Sequence, residues 1–383
     1  MPYFSFSLKQ SFLNSTLRNN LLNHKLETHV KYFSKNTNIW KILNKKKASI
    51  HLNSICIEKR KDYIQGCSSV LFLMPPSIGL GDSIEYALAI KNIINKKLFK
   101  KIGIGFSENY SYIFTKLFKF ENVYNNFISE KNLMNYETSF HFTKEIKNFK
   151  DQKYNRSDIE KEICNFFKIK VKKNYRKTKN EVKKITLFPI STSPIRTLPV
   201  KIINSIISKF SEKIKIDLVL DNFYPTSRFI VPRINTNNVN FIFHYELEDL
   251  VKIIKNIDYG IFIDSGPLHL AKILNKRGLF IETSVSHQKL LKNFNNFEII
   301  KNTYSSKYCK APCGLTNLFN INNSMGCFDT HKMKYSEIMK KNLKKNLHRG
   351  IVKNKYNEFM TEPVECIKNI DLKQILNNIE KIL

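Results

Sequence analysis

The sequence has few acidic residues, few arginines and no long apolar run. Its 383 residues carry 32 Asp and Glu against 64 Lys and Arg, a formal net charge of +32. Such an excess favours anionic partners, such as phosphates, anionic lipid surfaces or nucleic acid. Only nine of the 64 cations are Arg, and the Lys excess accompanies abundant Asn and Ile, a bias that AT-rich coding also produces. Since no Arg-rich run, zinc-finger spacing or aromatic RNA-binding strand accompanies the charge, we expect no nucleic-acid reader.

Long apolar segments are also missing. No stretch approaches the roughly 18 to 20 apolar residues of a membrane span, and the first twenty residues lack the apolar core of a signal peptide. We therefore expect a cytoplasmic protein, and leave open a peripheral contact with the inner face of the membrane. The seven Cys are an odd number in a long chain, so they predict reduced thiols and no disulfide framework.

The apolar content of 42% and the length predict two domains and an extension. Residues 1–66 read as a basic N-terminal extension, for which solvated helices are the plain interpretation. Residues 67–180 and 181–305 each have the pattern of an α/β domain. Residues 306–383 form a C-terminal segment that carries several Cys.

Alternating strands and helices are predicted in both domains. The run SVLFLMPP from Ser69 predicts a buried parallel strand, and after a glycine turn Ile84, Ala87, Ile90 and Ile94 recur at the spacing of one helix face. In the second domain four apolar runs separated by helical stretches predict strands: KITLFPI, KIDLVL, VNFIFH and YGIFID. The fold class is therefore α/β, with two doubly wound, Rossmann-like domains whose ligands lie at the carboxyl ends of the strands.

The first candidate motif is the turn Gly79-Leu80-Gly81-Asp82. A nicotinamide-binding fingerprint needs a third glycine at position 84, which is Ile, so that cofactor is disfavoured. At the end of a strand the turn can present Asp82 as a general base. The spacing alone favours the plainer interpretation, in which Asp82 caps the following helix.

The second motif follows the strand YGIFI and comprises Asp264, Ser265, Gly266, Pro267 and His269. Ser265 and Gly266 make a turn, and Pro267 suits the first turn of a helix. Free amides and the helix dipole at such a start can hold a diphosphate. An ordinary capped helix with a satisfied His is the alternative.

Together the GxGD-like turn and the DSGPLHLA block resemble glycosyltransferase family 9, the ADP-heptose heptosyltransferases. The resemblance covers about residues 68 to 300. It implies the GT-B fold, in which two Rossmann-like domains face a central cleft, with the acceptor on the first and the nucleotide sugar on the second. It also implies that Asp82 is the catalytic base and that the DSGPLH residues bind the donor.

Two further donor-binding segments are implied by the same resemblance. In FPISTSPIRTLP, Arg196 stands where the family has Lys, and Ser191 and Thr192 add hydroxyl contacts to the donor; a polar loop is the alternative. Glu248 resembles an acidic residue that meets the nucleoside ribose, and a solvated helix face competes equally.

The third constellation consists of four cysteines: Cys309, Cys313, Cys327 and Cys366. The CxxxC spacing of the first two lies within the range of structural metal sites. The segments resemble the tail of the protein-directed, autotransporter heptosyltransferase subgroup, whose four thiolates hold iron. We expect a structural metal, iron or zinc, and isolated core thiols are the alternative.

The resemblance therefore implies an inverting glycosyltransferase that moves heptose or a related sugar from ADP-heptose to a hydroxyl on a protein or on lipopolysaccharide core. No catalytic metal is expected, and a homo-oligomer is left open. The alternative is a non-catalytic basic protein of the same fold that acts at membranes or nucleic acid.

Overall fold

The structure is a computed structural model that divides the chain into two units. The first unit comprises Met1–Asp151 and Ile159–Val171, and the second comprises Gln152–Asp158 and Lys172–Leu383. The predicted boundary near 180 falls in a segment outside the described residues. The structure describes residues 4–8, 30–35, 39–41, 50–54, 64, 66–75, 78–146, 158–171, 181–235, 238–291, 293–306, 310–315 and 358–383.

Strands and helices alternate through much of this part of the chain. The strands are β1 (Phe4–Leu8), β2 (Lys31–Ser34), β3 (Ile50–Ser54), β4 (Ser69–Leu73), β5 (Lys101–Gly105), β6 (Val123–Tyr124), β7 (Phe127–Ser129), β8 (Thr138–His141), β9 (Lys184–Phe188), β10 (Lys215–Asp221), β11 (Val239–His244), β12 (Tyr259–Phe262), β13 (Gly278–Ile281) and β14 (Phe297–Ile300). The helices are α1 (Leu80–Asn95), α2 (Glu130–Met134), α3 (Phe142–Glu145), α4 (Ile159–Phe166), α5 (Val200–Phe210), α6 (Pro225–Ile230), α7 (Leu247–Lys255), α8 (Gly266–Ile273), α9 (His287–Leu290), α10 (Glu358–Thr361), α11 (Glu365–Lys368) and α12 (Leu372–Glu380).

The first unit contains a parallel sheet with the strand order β6-β5-β4-β8. Its strand β4 is buried along its whole length, as the apolar run in the sequence predicts. Helix α1 follows directly and buries Ile84, Ala87 and Ile90. The predicted strand, glycine turn and helix are therefore all present.

The N-terminal extension differs from its plain interpretation as solvated helices. Its strands β1, β2 and β3 join β7 in an antiparallel sheet with the order β3-β1-β2-β7. Phe6 and Phe33 are buried there, and Tyr32 pairs with Ser129 across β2 and β7. Alternation of aromatic and small polar residues in FSFSL is a strand signal that the high charge of the surrounding sequence obscured.

The second unit contains a six-stranded parallel sheet with the order β11-β10-β9-β12-β13-β14. The first four strands in sequence are the four that the apolar runs predict, so the α/β fold class with two parallel sheets is confirmed. The sequence reasoning missed β13 and β14. Within the described part of the C-terminal segment, residues 358–383 pack on this unit, because Ile367, Ile375 and Ile379 are fully buried in its core.

Among the helices that the structure describes, none combines the length and the apolar character needed to cross a membrane.

Candidate functional site

In the second sheet the order in which successive strands are added reverses between β9 and β12. In sequence order its strands are arranged 3-2-1-4-5-6, so the chain leaves β9 and β12, which are neighbours, toward opposite sides. In open α/β sheets ligands bind at the carboxyl ends of the strands at this reversal. The two loops that meet there are residues 189–199 and 263–266, and both contain predicted donor-binding residues.

Hydrogen bonds join these two loops. Ser191 Oγ donates to the Asp264 main-chain oxygen over 3.0 Å. Arg196 Nη1 lies 3.1 Å from Asp264 Oδ2 and 3.2 Å from the Asp264 main-chain oxygen, and Nη2 donates to Thr192 Oγ1 over 3.0 Å. The structure therefore brings together four residues that the sequence predicts at the donor site.

The pair Arg196–Asp264 is largely removed from solvent, with exposed side-chain fractions of 12% and 1%. The other carboxylate oxygen, Oδ1, lies 4.0 Å from Nε2 of the buried His269. Asp264 therefore orients the Arg196 guanidinium. A planar guanidinium fixed in this way suits the recognition of a phosphate oxygen pair.

Helix α8 begins beside this pair. Ser265 is the N-cap residue, and its hydroxyl donates to the Ile263 main-chain oxygen over 3.3 Å, so it does not cap the helix. Gly266 and Pro267 are half-buried at the helix start. Because a helix N-terminus carries partial positive charge, the start of α8 and Arg196 supply positive potential at one end of the sheet.

Glu248 lies apart from this set of contacts. It is in the first turn of α7, is half-exposed, and pairs with Lys252 one turn later over 3.3 Å. This is the geometry of a solvated helix face, which the sequence offered as the equal alternative. A ribose contact by Glu248 stays a prediction.

In the first unit, Asp82 lies in the first turn of α1. Its Oδ2 accepts a hydrogen bond from the Gly79 N–H over 3.3 Å, and Ser83 Oγ donates to the Gly79 main-chain oxygen over 3.0 Å. The predicted capping role is therefore present. It does not conflict with a role as base, because a carboxylate oxygen has more than one lone pair.

Two tyrosines lie near the Asp82 carboxylate. Burial raises the pKa of Tyr110, and the negative charge of Asp82 raises it further, while the Leu80 N–H that donates to its hydroxyl acts in the opposite direction. Burial also raises the pKa of Tyr86, with Asp82 and Glu85 contributing. Asp82 therefore has two neutral phenols near it.

The sequence reasoning missed a second buried carboxylate at the end of β13. Because β12 and β13 pair in parallel with the register Phe262↔Phe280, Glu282 and Asp264 follow neighbouring strands at the same end of the sheet. The Glu282 carboxylate accepts the His287 N–H over 2.7 Å and the Asn302 N–H over 3.2 Å, and its Oε1 lies 2.7 Å from His287 Nδ1.

In the sequence His287 has no partner at a recognisable spacing, and the structure gives it one, because its Nδ1 lies 2.7 Å from Glu282 Oε1. The available signal was the position of Glu282 directly after the apolar run GLFI, where a strand end is expected.

Two of the four predicted metal ligands, Cys309 and Cys327, lie outside the described residues. Cys313 is exposed and Cys366 is half-buried. Gly314, next to Cys313, donates its N–H to the Ser284 oxygen over 2.7 Å. Asn302 Nδ2 donates to the Cys366 oxygen over 2.9 Å and to the Thr283 oxygen over 3.4 Å. Both segments are thus attached to the residues that follow β13.

Within the ranges that the structure describes, no group of three or more His, Cys, Asp or Glu side chains is placed to hold a metal ion.

No family model matches the chain, and no curated protein matches its sequence. Among solved structures, the chain is similar to the dodecameric iron-containing heptosyltransferase TibC of enterotoxigenic E. coli in complex with ADP-D-beta-D-heptose. The sequence identity is 11%, the match covers 100% of this chain and 91% of that chain, and the TM-score is 0.45.

The chain is also similar to E. coli heptosyltransferase WaaC with ADP-2-deoxy-2-fluoro heptose, at 10% identity over 64% of this chain and 94% of that chain, with a TM-score of 0.43. A glycosyl transferase family 9 protein from Veillonella parvula matches at 9% identity over 63% and 89% of the two chains, again with a TM-score of 0.43. Identities and scores this low specify no substrate and no site residue.

Proposed function

We propose that the protein is a glycosyltransferase that moves a sugar from a nucleoside diphosphate to an acceptor hydroxyl. The observation that carries this proposal is the arrangement at the reversal of the second sheet. There Arg196, fixed by Asp264 at 3.1 Å, lies at the same strand ends as the start of α8. A fixed guanidinium and a helix N-terminus together form a site for a diphosphate.

The same groups stabilise the leaving diphosphate. As the bond between the anomeric carbon and the phosphate oxygen breaks, negative charge grows on the diphosphate. Preorganised donors lower the barrier because they need no reorientation at that moment. Arg196 and the first amides of α8 are such donors, and the positive charge comes from the chain itself.

Asp82 serves as the base in this proposal. It takes the proton from the acceptor hydroxyl while that oxygen attacks the anomeric carbon on the face opposite the leaving diphosphate, so the configuration inverts. Its placement in the first helical turn after β4, at the carboxyl end of a parallel sheet, supports this role.

The finer assignments rest on the motifs. The resemblance to glycosyltransferase family 9 favours an ADP-heptose-like donor and an acceptor that is a protein or a lipid-linked saccharide. The net charge of +32 favours peripheral contact with an anionic membrane face, which in this proposal is the cytoplasmic one. The resemblance does not fix the number of subunits.

We also propose a structural metal, iron or zinc, on Cys309, Cys313, Cys327 and Cys366. Four thiolates are a donor set that both metals accept. Gly314 is attached to Ser284 after β13, and Cys366 is attached to Asn302, which follows β14 and also contacts Thr283; these contacts support a common site for the two described thiols. Such a metal cross-links the C-terminal segment to the second unit and contributes to folding.

Calorimetry with ADP on the full chain tests the donor site first. A screen of nucleotide sugars, followed by mass spectrometry of acceptors, then tests transfer. Binding of ADP together with transfer of a sugar supports the proposal. Salt-dependent binding of DNA that is stronger than any nucleotide binding favours the non-catalytic alternative instead.

A further inference from the structure

Lys35 is a buried lysine at the end of β2, in the N-terminal sheet of the first unit. Its side chain is 2% exposed. Its ammonium donates two hydrogen bonds of 2.7 Å, one to the Met74 oxygen and one to the Pro75 oxygen. These carbonyls directly follow β4, so Lys35 holds the chain at the carboxyl end of that strand.

The same ammonium also reaches the loop that follows β5. Lys35 Nζ lies 3.9 Å from Glu108 Oε1 and 6.0 Å from the centre of the Phe106 ring. Phe106 and Glu108 have φ angles of +63° and +47°, in the left-handed region that residues other than glycine seldom adopt. Such backbone strain persists only where surrounding contacts hold it.

Burial of the Lys35 ammonium costs free energy. Desolvation lowers the pKa of Lys35 to about 8, and the Glu108 carboxylate offsets part of that effect. An apolar side chain at this position would avoid the cost. A charged group kept at the carboxyl ends of two parallel strands therefore points to a role other than packing.

Both segments that Lys35 holds lead to Asp82. The chain that begins with Met74 and Pro75 reaches the N-cap Gly79 four residues later. Glu108 belongs to the short helical turn Glu108–Tyr110, in which Tyr110 accepts the Leu80 N–H and feels the charge of Asp82. The first segment thus leads to the glycine turn before Asp82. The second segment carries Tyr110, which lies near the Asp82 carboxylate.

We propose that Lys35 is a positioning residue for Asp82. By binding the carbonyls after β4 and the carboxylate after β5, it fixes the glycine turn and Tyr110 relative to each other. The role in sugar transfer rests on the proposed function. The three N-terminal strands, which the sequence indicates only as an extension, then bear on Asp82 through this one residue.

Three variants of the full chain test the proposal. Lys35→Met keeps the length of the side chain and removes its charge and donors, and Lys35→Arg keeps the charge. Lys31→Met is the matched control, since Lys31 lies on the same strand, is 42% exposed and pairs with Glu130 at 3.7 Å. Turnover, ADP affinity and amide hydrogen exchange are measured for all three and for the wild type.

We expect Lys35→Met to lower kcat by about 10- to 100-fold, the cost of a small misplacement of a reacting group, with ADP affinity and the KM for the donor unchanged. Exchange of the Leu80 and Asp82 amides should rise about tenfold through local opening. Lys35→Arg should restore part of the lost kcat and part of the lost protection from exchange. Lys31→Met should match the wild type in both measurements.

Hydrogen exchange separates failure of this inference from failure of the proposed function. If no variant and no wild-type protein transfers sugar, raised exchange in Lys35→Met alone still supports the fixing of the turn, and the proposed function fails by itself. Unchanged exchange at Leu80 and Asp82, or equal changes in Lys31→Met, overturns the inference. So does a kcat that equals the wild-type value in Lys35→Met.

Discussion

Arg196 and Asp264 come from loops that follow two neighbouring strands, and their guanidinium and carboxylate meet at 3.1 Å with little exposure to solvent. The loops after β9 and β12 are thereby connected by an ion pair at the reversal of the sheet. The carboxylate is hydrogen-bonded to Arg196 and lies 4.0 Å from His269, so it holds the guanidinium in place. In the proposed function a diphosphate binds this guanidinium, whose position is already fixed.

Replacement of Arg196 by Ala should weaken ADP binding by about 2 to 5 kcal/mol, the cost of truncating one partner of a buried charge pair. Lys at this position should recover part of the loss, because it keeps the charge without the planar fork. Isothermal titration calorimetry measures both. Arg233→Ala is the control, because Arg233 is exposed and stacks on Phe229; unchanged ADP affinity in Arg196→Ala contradicts the assignment.

The same pair should show strong coupling in the unfolding free energy. Removal of either charge leaves the other buried and unpaired, so Arg196→Met and Asp264→Asn should each destabilise the fold by about 3 to 5 kcal/mol. The double variant should lose less than the sum, with a coupling energy of about 1 to 3 kcal/mol. Urea unfolding of the four proteins measures it, and additive losses argue against a direct interaction.

Asp82→Asn should lower turnover by about 10² to 10⁴, the usual contribution of a positioned base, with ADP affinity unchanged. A matched control separates catalysis from helix capping. Asp249 occupies the same position in α7, where its Oδ2 accepts the Glu246 N–H over 3.3 Å, as Asp82 does with Gly79. Asp249→Asn should lose the same capping contribution and keep its turnover; near-normal turnover in Asp82→Asn removes this residue from the mechanism.

The lowered pKa of Lys35 predicts a pH-dependent stability. With a pKa of about 8 in the folded state and about 10.4 in an unfolded chain, the unfolded state binds more protons between these values. The unfolding free energy contributed by this residue therefore rises as the pH increases from about 8 to about 10.4, by on the order of 3 kcal/mol.

Lys35→Met lacks this titration, so it serves as the reference for that measurement. The unfolding free energy of the wild type minus that of Lys35→Met should increase over the interval, as measured by chemical unfolding at several pH values. A difference that stays constant from pH 7 to pH 11 shows that Lys35 is not buried as a charged group at neutral pH.

Metal removal should lower thermal stability before it lowers the rate of sugar transfer. Protein purified without added metal should contain about one iron or zinc per chain, and a chelator should lower its melting temperature. Cys313→Ser and Cys366→Ser should reduce the metal content. Cys67→Ser is the control, because Cys67 is buried in the first unit. Strongly substoichiometric metal, with thiols that react freely in the folded protein, indicates isolated cysteines.

The sequence predicted the parts of the fold whose signals are local. Strand β4 and helix α1 carry continuous and periodic apolar patterns, and β9 to β12 are apolar runs separated by helices. The Arg196 and Asp264 loops were found because each follows such a run and carries a recognisable block. Their mutual contact follows from strand order, which no local pattern encodes.

The missed features depend on distant pairing. Strand β13 has only four residues, and no recognisable block follows its apolar run to mark it as a strand end. Lys35 lies in a highly basic stretch, where nothing in the sequence separates one buried lysine from its solvated neighbours. Its partners Met74, Pro75 and Glu108 come from chain far beyond it, so only the three-dimensional fold shows the contact.

The pairing of β2 with β7 bears on how the chain folds during synthesis. β2 is an edge strand until residues 127–129 pair with it, and at about 5 to 20 residues per second the ribosome needs roughly 4 to 15 s to make the chain from β3 to β7. During that time the nascent sheet exposes an unpaired edge that can bind another strand. Slower translation between β3 and β7 should therefore increase aggregation. A fragment that ends before β7 should aggregate most.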